Sequence, residues 1–148
     1  MTERFETFTV LINRISRNIR KIKNQEMAEY KLKSAHVSCL YYLYIASGAT
    51  ATDLCERCEE DKATISRALD HLESEGYIIR KGESAKRYKS PIVLTESGNA
   101  LGKKIADKID GVLSAISVKL SEEERIAFYR SLSVISDGLE LISRNGEK

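Results

Sequence analysis

A chain of 148 residues with 42% hydrophobic and 31% charged residues has the length of one domain and enough apolar surface for a core, which argues against long disordered regions. The formal net charge of +2 names no partner by itself, and three cysteines (Cys39, Cys55 and Cys58) make too odd and sparse a set for a disulfide framework. The opening MTERFETF carries acids early and no run reaches eighteen apolar residues, so neither a secretory leader nor a membrane span is expected, and the chain reads as cytoplasmic.

With one proline and eight glycines the chain has few breaks, which favours long helices. Phe5, Phe8, Ile12, Ile15, Ile19 and Ile22 recur at spacings of three and four, a helical stripe close to a heptad. That helix is expected from about Glu3 to Tyr30, and its stripe needs a partner within the chain or from another subunit. SAHVSCLYYLYIA follows, with Ser34 as N-cap and Gly48 ending the helix. It is apolar over most of its circumference, with Val37, Leu40, Tyr41 and Tyr44 on one face and His36, Cys39 and Leu43 on another, so it should be buried from two sides. TATDLCERCEE is a short helix starting near Thr50 or Thr52, with Ala51, Leu54, Cys55 and Cys58 on one face.

After a break at Glu59–Asp61, DKATISRALDHLESEGYI places Ile65, Ala68, Leu69 and Leu72 on one side, and Gly76 stands where a helix end needs a left-handed residue. YIIRK and SPIVLT then change to a strand period around the turn GESAKRYK, a small hairpin with Pro91 at a strand start or edge. A long helix carries Leu101, Ile105, Ile109, Val112 and Ile116. A last one opens with the capping box Ser121–Glu124 and carries Ile126, Tyr129, Leu132, Ile135, Leu139 and Ile142. The order predicts a mainly α fold with a small two-stranded β-wing, the winged helix-turn-helix plan.

On a helical wheel, Ala63, Arg67, Asp70 and Ser74 lie opposite the apolar side of the fourth helix, flanked by Thr64, Ser66 and His71. A face present only for solubility would more often carry lysines and glutamates. Small side chains let a backbone approach a groove, hydroxyls donate to phosphates or base edges, and arginine pairs bidentately with guanine. The acids at Glu59, Glu60 and Asp61 would repel a phosphate, so contact begins at Lys62 or later. The expected recognition set is Lys62, Ala63, Thr64, Ser66, Arg67, Asp70 and His71. Charge distribution agrees: Arg80 to Lys89 holds five basic residues against Glu83, and Asn13 to Lys33 seven against two acids. Lys86, Arg87 and Lys89 would form a cationic wing reaching the backbone or minor groove.

The run LCERCEEDKATISRALDHLESEGYIIRK, followed by KRYKSPIVLTESG, resembles the core of the MarR family, the multiple-antibiotic-resistance regulators. The likeness extends over essentially the whole chain, with DKATISRALDHLESEGYI matching the recognition helix and LTESG (Leu94–Gly98) the end of the wing. It implies a homodimer on a pseudo-palindromic double-stranded DNA site, acting as a repressor or less often an activator, and relieved by a small-molecule inducer or by oxidation. The resemblance divides the protomer into a dimerisation helix over 1–32, a DNA-binding lobe over 33–98 and dimerisation helices over 99–148. Family wings often carry Asp-Arg-Arg, whose acid orients an arginine; here SAKRYK lacks the acid, and Arg87 is the candidate arginine. The inducer pocket implied by the resemblance would involve His36, Cys39 and Tyr42.

Other readings compete at several sites. CERC lacks the second Cys/His pair a structural zinc needs, and its cysteines read as small core hydrophobes, so no metal or other cofactor is expected. His36 and Cys39 share a helix face and could form a thiol- or metal-responsive sensor, or be plain core residues. The clustered Tyr41, Tyr42 and Tyr44 could line a pocket but read mostly as core. No catalytic constellation is found, so an enzyme is not expected; a winged-helix module that binds protein instead of DNA is the alternative.

Overall fold

The computed structural model describes residues 5–58, 60–82 and 89–146, with side chains from residue 7. The elements are α1 (Phe5–Glu26), α2 (Ser34–Ile45), α3 (Ala51–Cys58), α4 (Lys62–Ser74), β1 (Ile78–Arg80), β2 (Ile92–Leu94), α5 (Glu96–Ser117) and α6 (Glu122–Gly146), with a 3-10 turn at Ala28–Tyr30. They fall into two compact units, Met1–Ala106 and Asp107–Lys148.

In the first unit α2 is the central rod. Val37, Ser38, Cys39, Leu40 and Leu43 are buried on it, and α1, α3, α4 and β2 all pack against it. Leu54 from α3, Ile65, Ala68, Leu69 and Leu72 from α4, Ile78, Ile92, Leu101 and Ile105 complete the core. Each large aliphatic side chain buried there contributes about 1.5–3 kcal/mol relative to exposure. The two-sided burial expected of α2 is observed, but Tyr41, Tyr42 and Tyr44 are only half-buried.

The start of the chain corrects one expectation. The first helix stops at Glu26 and does not reach Tyr30. Met27 and Leu32 turn inward and are almost fully buried, and Lys31 takes a left-handed conformation (φ 57°) between them. A straight helix could not bury both. The cap of α2 also shifts: Lys33 is the N-cap, and its N–H is accepted by His36 Nδ1 at 2.9 Å. Ser34 is the first helical residue, and its N–H goes to Asn24 Oδ1 of α1 at 2.6 Å.

β1 and β2 pair antiparallel with Ile78 opposite Leu94 and Arg80 opposite Ile92. Pro91 stands just before β2, and the Ile92 N–H bonds the Ala49 carbonyl at 3.0 Å, tying the wing to the α2–α3 turn. The turn residues 83–88 lie outside the described residues.

In the second unit, Ser121 and Glu124 form the expected capping box: Glu124 Oε2 accepts the Ser121 N–H at 2.7 Å and Ser121 Oγ accepts the Glu124 N–H at 3.1 Å. No residue of α6 is buried. Among the described residues no helix is long and apolar enough to cross a membrane.

Candidate nucleic-acid interface

α4 is fixed at both ends. Asp61 is its N-cap, in an extended conformation, and Oδ1 accepts the Thr64 N–H at 2.7 Å. Its bonds with Thr64 hold the carboxyl below its ordinary range, so the cap is a carboxylate at neutral pH. At the other end Gly76 (φ 78°) closes the helix, with Gly76 N–H to the Glu73 carbonyl (3.0 Å) and Tyr77 N–H to the Leu72 carbonyl (2.9 Å). Between these caps the apolar side is buried and the opposite side faces out.

On that outer side Lys62, Ala63, Ser66 and Arg67 are exposed and Thr64 is half-exposed. Arg67 Nη2 reaches back to Thr64 Oγ1 at 3.3 Å, so the guanidinium and the hydroxyl sit together one turn into the helix. This is a cationic, donor-rich patch on a rigid rod, suited to phosphates and base edges.

Two members of the expected recognition set have other partners. Asp70 pairs with Arg80 Nη2 at 2.6 Å, and the same nitrogen meets Glu73 at 3.0 Å. The Arg80 side chain is 10% exposed against 65% for Asp70, so the arginine is drawn under the helix and clamps α4 to β1. Burial opposes its charge, but the bonds to Glu73 and Asp70 outweigh it and raise its pKa. Arg80 therefore belongs to the frame of the interface and not to its cationic surface. His71 is half-buried and turned towards α2, its ring centre 4.6 Å from that of His36.

Of the wing residues, Lys89 is exposed, while Lys86 and Arg87 lie outside the described residues. The end of the wing explains LTESG. Thr95 Oγ1 accepts the Gly98 N–H at 3.1 Å, capping α5, and donates to the Gly76 carbonyl at 2.6 Å. Gly98 lies against Tyr77: a Cβ there would fall 1.9 Å from the Tyr77 carbonyl oxygen.

The residues expected around a ligand pocket have separate neighbours. His36 faces His71, Cys39 is fully buried, and Tyr42 stands edge-on to Tyr41 with the Arg57 guanidinium 6.0 Å from its ring centre. His36 and Cys39 are thus not partnered with each other. Cys55 and Cys58 are half-buried, short of the core placement expected for them. A groove of about 430 Å³ lies elsewhere, between the end of α2, β2 and the start of α5, lined in part by Tyr44, Ser47, Pro91 and Thr95. Among the described residues no group of three or more metal-ligating side chains converges.

A doubly capped helix with an outward arginine, set against a two-stranded wing, defines a winged-helix DNA-binding protein. Comparison with known proteins points the same way. The MarR family model matches residues 30–87. An HTH-type transcriptional regulator of Bacillus cereus is 27% identical over 123 residues, 82% of each chain. The HTH-type transcriptional repressor YetL of Bacillus subtilis is 26% identical over 129 residues, 86% of this chain and 77% of YetL. The Staphylococcus aureus MepR–DNA complex contains a chain 25% identical with a TM-score of 0.77, covering 89% of this chain and 97% of MepR. The chain is similar to MarR-family regulators and is a DNA-binding transcriptional regulator.

Proposed function

We propose that the protein is a homodimeric repressor that sets two copies of α4 into successive major grooves of a pseudo-palindromic site, about 34 Å apart. The observation that carries this reading is the outward face of α4, with Lys62, Thr64, Ser66 and Arg67 on a helix capped at both ends and anchored by its apolar side. Lys89, with Lys86 and Arg87, would contact the flanking backbone or minor groove. Segments 1–32 and 99–148 would dimerise and 33–98 would bind DNA. Dimerisation is supported by large apolar residues left exposed on α1 (Leu11, Ile15, Ile19) and, in the other unit, on α6 (Ile126, Tyr129, Leu139). Repression is supported by the sign of YetL. Release by a small molecule is part of the reading, and the groove beside Tyr44 is large enough for a compact ligand.

Selection of genomic duplexes by the full-length protein, followed by anisotropy titration, tests it. The selected duplex should bind far more tightly than its scrambled form, with affinity falling steeply as salt rises. Arg67→Ala should cost about 1–3 kcal/mol on the selected duplex and little on the scrambled one. Equal loss on both would remove base reading by Arg67; failure of every duplex at low salt would remove the whole reading.

A further inference from the structure

α1 carries different residues on three sides. Lys23 and Met27 turn to the core: Lys23 Nζ donates to Ser38 Oγ of α2 at 2.8 Å, and Met27 is almost fully buried. Leu11, Ile15, Ile19 and Ile22 form the exposed apolar stripe. At about 100° per residue, Arg14, Arg17 and Lys21 lie opposite that stripe, with Arg20 at their edge. All four are exposed, and Arg17, Arg20 and Lys21 bound one shallow groove with Asn24 and Gln25.

Nothing on the chain neutralises this face. From Thr7 to Gln25 the sequence has no acid. Among the described residues no carboxylate pairs with Arg14, Arg17, Arg20 or Lys21. Cations three or four positions apart on a helix repel each other, and a face serving only solubility intersperses carboxylates, as Glu140 beside Arg144 does on α6. The positive charge continues past the helix, where Lys31 and Lys33 are both exposed. Contacts lead from there to α4. Asn24 Oδ1 accepts the Ser34 N–H at 2.6 Å, which ties the end of α1 to the start of α2. In the first turn of α2, His36 stands against His71 in the last turn of α4, ring centres 4.6 Å apart. His71 is four residues beyond Arg67, about 6 Å along the helix axis. A recognition helix reads bases with its N-terminal residues, so what adjoins its far end meets the sugar–phosphate wall of the groove.

We propose that Lys33, Lys31 and the basic face of α1 form a second DNA contact, which grips the phosphate backbone outside the base pairs that α4 reads. It rests on α4 being the reading helix. Phosphate suits the face in charge and in spacing. Arg14 to Lys21 spans about 10 Å of helix, against a rise of about 3.4 Å per phosphate on one strand, so the face can follow about three phosphates. Guanidinium groups there can hold phosphate oxygens in pairs. Because the face lies opposite the apolar stripe, a second copy seated on the stripe leaves it open. Such a contact reads no bases and strengthens binding to any sequence.

Anisotropy titration of the full-length protein tests this on scrambled duplexes of about 16 and about 36 base pairs, the shorter just holding two half-sites one helical turn apart. Wild type is compared with Arg17→Gln/Lys21→Gln, whose changes fall at exposed positions and keep good helix formers. The longer duplex offers both proteins the same extra registers, so the ratio of their affinities isolates the flank. The variant should lose at least about fivefold on the long duplex and markedly less on the short one, and its slope of log affinity against log salt on the long duplex should fall by at least about 1. Arg17→Lys/Lys21→Arg, which keeps both charges, should recover most of the loss. Equal loss on short and long duplexes would assign the effect to the general charge of the protein and overturn the contact, as would an unchanged salt slope. Scrambled DNA keeps this test apart from base reading: if Arg67→Ala fails to lower discrimination in the experiment above, the dependence on duplex length still stands.

Discussion

At His36 the ring nitrogen Nδ1 accepts the Lys33 N–H and so must be unprotonated. Burial is the main cause lowering its pKa from the ordinary 6.5, and the neighbouring His71 and Lys33 add to it. A histidine whose folded pKa is depressed contributes stability fully above its unfolded value, and the contribution is lost as pH falls through the folded value. Chemical denaturation should therefore show stability declining as pH drops below about 6.5. His36→Gln keeps an acceptor at the third helical position, where glutamine completes a capping box, and removes the titration. It should hold most of the neutral-pH stability while flattening the slope attributable to this ring; an unchanged slope would assign the pH dependence to other groups. Arg80 makes a different kind of residue-scale case. It sits beneath α4 with two carboxylates, one of them largely exposed, so Arg80→Met should cost only about 1–2 kcal/mol by thermal unfolding. Asp70→Asn should cost less, because solvent already screens that carboxylate.

At the scale of elements, the ends of helices decide whether the interface is presented rigidly. Asp61→Ala removes the acceptor for the Thr64 N–H and should lower the melting temperature, with faster hydrogen exchange in the first turn of α4. Gly98→Ala forces a methyl onto the Tyr77 carbonyl, a backbone atom that cannot swing away, and should cost about 2 kcal/mol or more in a thermal melt. The periodic apolar positions made every helix and both strands legible from the residues alone, and Gly76 the stop of α4; α2 ends at Ile45 with Ala46 as its cap, short of Gly48. Three features were not legible, each for a stated reason. Met27 and Tyr30 continue a helical rhythm, so nothing local marks the turn that buries Met27 and Leu32. A helical wheel orients His71 relative to its own apolar side but cannot show that α2 brings His36 against it. Arg80 reads as one more wing cation until the hairpin folds back and puts it under Asp70 and Glu73. The outward Lys62, Ala63, Ser66 and Arg67 needed no such tertiary information and stand where the wheel puts them.

For the whole molecule, the issue is what covers the apolar residues that its own fold leaves in water. Ile15 and Ile19 on α1 are about half exposed, and α6 has no buried residue although Ile126, Tyr129, Ile135, Leu139 and Ile142 recur along it. Large aliphatic side chains scattered singly on a surface are ordinary, but rows repeating every three or four residues on two helices are the pattern of a helical interface. If a second copy covers them, placing a carboxylate in the row forces an unpaired charge out of water on association, at more than the 1.4 kcal/mol that corresponds to tenfold in affinity. Ile19→Glu and, separately, Leu139→Glu should each raise the dimer dissociation constant at least tenfold in sedimentation equilibrium, with helix content by circular dichroism unchanged. The same variants should lose affinity for a full pseudo-palindromic duplex far more than for a half-site duplex, because each α4 keeps its own contacts and only the coupling between two of them is gone. Equal losses on full and half sites would mean that the substitutions damage the DNA-binding lobe itself. Wild-type protein that sediments as a single chain at micromolar concentration would rule out the paired arrangement.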